Sequence, residues 1–194
     1  MNKQSKTYSL TLIAIMTAVT CILGPLSINI PISPVPISFT NLAIFFSVYV
    51  LGAKKATNSY FLYLLIGFIG VPVFSSFTAG IGKLFGPTGG YLIGFIFTAA
   101  VSGFFIERFS NKIYMAVLGM VIGMIVAYIF GTIWLAYQMS LTFKAALFAG
   151  VIPYLPGDAA KIAIANIVGP VLRGQLLRAG YINKKDNSLQ HATK

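Results

Sequence analysis

Acidic residues are nearly absent from this 194-residue sequence: Glu107, Asp158 and Asp186 stand against 14 lysines and arginines. Cysteine, histidine and tryptophan each occur once, as Cys21, His191 and Trp134. These shortages exclude whole classes of chemistry. A lone Cys21 in an apolar run has no partner for a disulfide framework. No cluster of His, Cys, Asp or Glu has metal-ligand spacing, and His191 in the polar tail is poorly placed to be a ligand. There is no second carboxylate in an apolar stretch for acid–base work, no nucleophile–base pair, and no P-loop to hydrolyse ATP. The chain also lacks the two-halves repeat common among secondary transporters. These features describe a protein that binds something and depends on others for energy, with no cofactor of its own.

Apolar surface dominates what is there. Hydrophobic residues make up 57% of the chain and charged residues 9%, with mean hydropathy +0.86. Soluble domains carry about 25% charge. A fold of this length in water could not hide so much apolar surface, whereas a bilayer removes the need. No linker or second composition regime interrupts the chain, so residues 1–194 read as one membrane domain.

A helix needs roughly 20 residues to cross the hydrocarbon core. Six candidate spans follow, at about 7–28, 37–51, 57–71, 89–106, 113–137 and 158–177. The first follows Lys3 and Lys6 but lacks a clear small-residue cleavage site, so it reads as a span and not a signal peptide. Pro31, Pro34 and Pro36 make residues 31–36 an extended connection. Residues 73–88 form a Gly-, Ser- and Thr-rich loop, and 143–152 a short apolar segment broken by Pro153 and Pro156. Residues 179–194 are a polar tail. The fold class is thus an all-α bundle of six transmembrane helices.

Six spans place the basic residues unevenly. Lys3, Lys6, Lys54, Lys55, Arg108, Lys112, Arg173, Arg178, Lys184, Lys185 and Lys194 fall on one side, and only Lys83, Lys144 and Lys161 on the other. The positive-inside rule puts both termini in the cytoplasm. Basic residues confined to turns and ends determine topology and do not form a nucleic-acid surface.

Glu107, beside Arg108, and Asp186 read most simply as solvated. Asp158 begins an apolar helix, with Lys161 three residues later on the same face. Two readings stand. The pair faces a cavity or the bundle interior, as costly intramembrane charges do; or Asp158 caps orphan amides while Lys161 snorkels to the interface. The segment Gly80–Tyr91 carries Lys83, Gly86, Gly89 and Gly90 into a helix start, which either lets backbone approach an anionic ligand or is a turn capped by Thr88. Ala14 and Ala18, like Gly119 and Gly123, form small-xxx-small pairs that permit close helix contact within the chain or with a partner. Trp134 reads as packing or interfacial.

The strings Pro34-Val35-Pro36-Ile37-Ser38-Phe39-Thr40-Asn41, Gly70-Val71-Pro72-Val73-Phe74, Gly86-Pro87-Thr88-Gly89-Gly90-Tyr91-Leu92-Ile93-Gly94-Phe95 and Pro156-Gly157-Asp158-Ala159-Ala160-Lys161 resemble the BioY family over residues 7–178. BioY proteins are the biotin-binding S components of energy-coupling factor (ECF) transporters of prokaryotic cell membranes. The resemblance implies a six-helix bundle binding biotin near its outer face, with a transmembrane coupling subunit and two ATPase subunits as partners. It implies that Ala14 and Ala18 pack on the coupling subunit. It also implies Asp158 as acceptor for the ureido N–H groups, and Phe39, Phe74, Phe85 and Tyr91 as lining for the fused rings. Lys161, Lys83 or the Gly89-Gly90 helix start, with Gly86 in the same motif, would take the carboxylate. Some relatives carry a basic residue just after the tyrosine of the glycine motif; here it is Leu92, which draws attention to Lys83. An S component for another vitamin, a lipid-groove membrane protein or enzyme, and a facilitator needing no ATPase are the competing readings.

Overall fold

The computed structural model describes residues 3–31, 33–109 and 112–181; Asp186, His191, Lys184, Lys185 and Lys194 lie outside the described residues. Seven α-helices account for most of them: α1 (Lys3–Leu23), α2 (Thr40–Phe68), α3 (Ile81–Leu84), α4 (Gly89–Arg108), α5 (Ile113–Gln138), α6 (Phe143–Gly150) and α7 (Leu155–Arg178). A two-residue antiparallel ribbon, β1 (Ser27–Ile28) with β2 (Ile37–Ser38), brackets the proline-rich connection after α1. Three stretches are long and apolar enough to cross a membrane on their own: Gly89–Arg108, Ile113–Gln138 and Phe143–Arg178.

The second and third expected spans are two helical arms joined directly as α2, which turns at a single residue. Gly52 has φ +76° and ψ −179°, a conformation closed to most L side chains. The arms on either side, Thr40–Leu51 and Ala53–Phe68, rise about 18 and 24 Å at 1.5 Å per residue. Both are shorter than the roughly 30 Å hydrocarbon core. The expected boundaries shift for local reasons. Residues 37–38 pair as a strand; Gly24-Pro25 stops α1 at Leu23, leaving 27–28 as strand; and Gly70, at φ +108°, ends α2 before Pro72. Pro156 sits in the first turn of α7, where a missing N–H costs nothing, so that helix begins at Leu155.

Helices α4 and α5 pack through small residues. A Cβ on Gly94 would lie 2.7 Å from Ala127 Cα, and one on Gly123 would lie 2.9 Å from Ser102 Oγ. That proximity lets Thr98 Oγ1 donate to the Gly123 carbonyl at 2.7 Å and Ser102 Oγ to Gly119 at 3.3 Å. The Gly119/Gly123 pair therefore serves contacts within the chain, the usual use of small residues between membrane helices.

One end of the bundle is tied by charge at the α2 turn. Glu107 Oε1 accepts from the Ala53 N–H at 3.0 Å, and Arg173 Nη1 donates to the Tyr49 carbonyl at 2.9 Å. An anion thus meets the N-terminus of one arm and a cation the C-terminus of the other, each favoured by the helix dipole. The solvated reading of Glu107 is corrected: the carboxylate is half-buried against Gly52, and its charge is felt by Arg173. Lys55 also reaches Ser9 of α1 at this end, at 3.0 Å.

Candidate ligand-binding site

At the opposite end the connections close over a cavity of about 540 Å³, counted to its open mouth. Val35, Pro36 and Ile37 line it from the ribbon connection, Leu92 and Phe95 from α4, and Met124 from α5. The prolines hold that connection extended, and Tyr154 pins it: its hydroxyl donates to the Val35 carbonyl and meets Ser33 Oγ at 2.5 Å.

Asp158 and Lys161 sit in the wall of this cavity, 7% and 6% exposed. Their spacing of three residues stacks them on one face of α7, and Nζ lies 3.0 Å from Oδ1. Oδ1 also accepts from Asn41 Nδ2 at 2.7 Å, and Oδ2 accepts from the Tyr128 hydroxyl. Lys161 donates further to the Ser38 carbonyl at 2.7 Å and lies 5.8 Å from the centre of the Phe39 ring. Side chains from α2, α5 and α7, and not orphan amides, hold the carboxylate; the lysine turns inward and does not snorkel. Taking two charges out of water costs several kcal/mol per ion, which only dense hydrogen bonding offsets. A carboxylate has about four acceptor sites and an ammonium three donors. The bonds above use three and two of them, leaving one acceptor and one donor uncommitted.

Of the other residues singled out in the sequence, Tyr91 lines the cavity and donates to the Gly150 carbonyl at 2.9 Å. Phe39 lies behind Lys161, outside the lining. Phe74 is fully buried in the core, edge-on to Tyr63 at 5.5 Å and against Gly67. Phe85 is 61% exposed, and its carbonyl accepts from Gln138. The glycines serve packing: Gly86 accepts from Trp134 Nε1 at 2.9 Å, Gly89 lies against Leu84 and Trp134, and Gly90 against Trp134 and Phe130. Trp134, open in the sequence between packing and interface, packs here. Lys83 is half-buried on α3, away from the lining; burial lowers its pKa. Ala14 and Ala18 both face outward from α1.

Sequence reasoning missed Asn41, Tyr128, Tyr154, Ser38 and Thr88 as lining residues. Asn41 carried a usable signal, an amide at the head of an apolar helix. Tyr128 carried another, a tyrosine deep inside the longest apolar run and away from either interface.

A helical chain with membrane-spanning stretches and a hydrogen-bonded ion pair in the wall of a concave, partly apolar cavity has the architecture of a membrane-embedded small-molecule binder. Comparison with known proteins narrows the class. The BioY family model matches residues 1–178, and the chain belongs to the BioY family. Biotin transporter BioY2 of Lactococcus lactis subsp. cremoris is 35% identical over 170 residues, 88% of this chain and 92% of that protein. Biotin transporter BioY of Thermotoga maritima is 36% identical over 141 residues, covering 73% and 82%. Among solved structures, the S-component for biotin from an ECF-type ABC transporter superposes with a TM-score of 0.83 at 31% identity, covering 90% of this chain and 95% of that one.

Proposed function

We propose that this chain is the biotin-capturing membrane subunit of an ECF-type importer, passing biotin on through a coupling subunit driven by two ATPase subunits. The family consists of transporters, so the protein is a transport subunit and not an enzyme. One observation carries the reading: the Asp158–Lys161 pair, with one acceptor and one donor left uncommitted, in a cavity with no other charged side chain in its lining. A cyclic urea presents both an N–H donor and a C=O acceptor, the two complements that the pair can still bond. Asp158 takes the N–H and Lys161 supports the carbonyl, while Tyr91, Leu92, Phe95 and Met124 take the fused rings.

The chain crosses the cell membrane six times, through α1, α4, α5 and α7 and, as short passes completed by their flanking connections or a locally thinned bilayer, the two arms of α2. The α2 turn and the ends of α4 and α7 carry Lys54, Lys55, Arg108, Arg173 and Arg178, so this end faces the cytoplasm with both termini, and the cavity faces out. Ala14 and Ala18 present a flat strip of α1 for the coupling subunit. Uptake of labelled biotin, by cells lacking their own importer, tests the reading. Uptake is expected only when the chain is expressed with a coupling module; uptake by the chain alone, or none with the module, contradicts it.

A further inference from the structure

Two helix interruptions meet at one residue away from the cavity. The α2 turn at Gly52 prevents the bond that a continuous helix would make from the Ala53 N–H to the Tyr49 carbonyl. Glu107 takes that N–H and Arg173 takes that carbonyl instead. The second interruption lies in α7. Pro170 stands inside that helix and has no N–H to give the Asn166 carbonyl one turn earlier. The Asn166 side chain meets Tyr49, whose hydroxyl donates to Oδ1 at 2.6 Å. Gly169 lies against the same ring, so closely that a Cβ there would come within 2.1 Å of it. Tyr49 thus holds α7 on both sides of Pro170. Its hydroxyl acts on the cavity side, and its carbonyl acts through Arg173 on the far side.

These ties bear on the ligand pair because α7 carries it. Asn41 and Tyr128 bond Asp158, and Ser38 bonds Lys161, all in the cavity wall and all on groups that the ligand would engage. Tyr49 and Asn166 take no part in the lining and are buried, 4% and 6% exposed. Asn166 follows Asp158 by eight residues, about 12 Å along the helix. Resting on the biotin reading above, we propose that Tyr49 is a positioning residue for Asp158 and Lys161. Its hydroxyl fixes the cavity-side arm of α7, residues 155–169, against the first arm of α2, and so sets where the pair stands relative to Asn41. The arm needs this tie because Pro170 leaves it without a complete hydrogen-bond ladder to the rest of the helix.

Calorimetric titration of the purified chain with biotin, joined to a measurement of the release rate, tests this. Tyr49→Phe deletes the hydroxyl but keeps the ring on Gly169 and the carbonyl for Arg173. It is expected to raise the dissociation constant roughly fivefold, the scale of one neutral hydrogen bond, through faster release and with one site per chain retained. Pro170→Ala gives the Asn166 carbonyl its N–H and joins the cavity-side arm to the part of α7 that Arg173 holds. Added to Tyr49→Phe, it should restore wild-type affinity. An unchanged Tyr49→Phe titration would overturn the proposal. So would fewer active sites at unchanged affinity, the mark of a merely structural role, or a loss that Pro170→Ala does not repair. Failure of the wild-type chain to bind biotin at all would instead overturn the functional reading on which the positioning role rests.

Discussion

Asp158 is the acceptor on which the proposed biotin site turns. Replacing it by asparagine keeps the shape but removes the charge that balances Lys161, leaving a buried ammonium without its counter-ion. Asp158→Asn is expected to weaken biotin binding by on the order of a few kcal/mol, read by calorimetry. Tyr128→Phe removes one donor to the same carboxylate and should cost less, about 1.5 kcal/mol. The reverse ranking would place the ligand against Tyr128 and not Asp158. The ion pair was legible in the sequence because charge is rare in apolar helices and therefore conspicuous. Asn41 and Tyr128 were legible only in retrospect. The phenylalanines misled for a general reason: an aromatic ring serves a core as readily as a ligand, and Phe74 went to the core while Phe85 stayed outside.

At the level of elements, the turn in α2 decides where the cavity wall lies, because its first arm carries Asn41 at the open end and Tyr49 at the closed one. A side chain on Gly52 would meet Glu107 Oε1 at 1.9 Å while also adopting φ +76°. Gly70 shares the positive φ but has open space around it. Gly52→Ala is therefore expected to lower the melting temperature in detergent by several degrees, and Gly70→Ala by less. Equal shifts would mean that the Glu107 contact is irrelevant. A second element-level prediction concerns α1. Ala14 and Ala18 face outward, so Ala14→Trp with Ala18→Trp should leave biotin binding intact and abolish uptake with the coupling module. Normal uptake would remove the docking role. The sequence showed each helix through its apolar length and its proline and glycine punctuation. It could not show that Gly52 alone makes the connection between two arms, since Ala53-Lys54-Lys55-Ala56 suits a loop and a helix start equally well.

For the molecule as a whole, two ends of different character follow from few charges. One end is knotted by Glu107, Arg173 and Lys55 around the α2 turn; the other opens on the cavity beneath the proline-rich connection. Orientation can be checked directly. In a Cys21→Ala background, a cysteine at Lys83 should react with an impermeant maleimide in intact cells, and one at Lys54 only after permeabilisation. The opposite pattern would invert the topology. The charge distribution yields an expected orientation from sequence alone, because topology depends on the side of each basic residue and not on packing detail. The depth of the cavity and the identity of its lining depended on which helices approach closest, which small residues permit but do not specify. The central claim is that the outward cavity is a biotin site built on Asp158 and Lys161, and one calorimetric titration of the purified chain tests it most directly. Saturable one-to-one binding of biotin that is severely weakened in Asp158→Asn is the predicted result; absence of binding, or binding that Asp158→Asn leaves untouched, would contradict it.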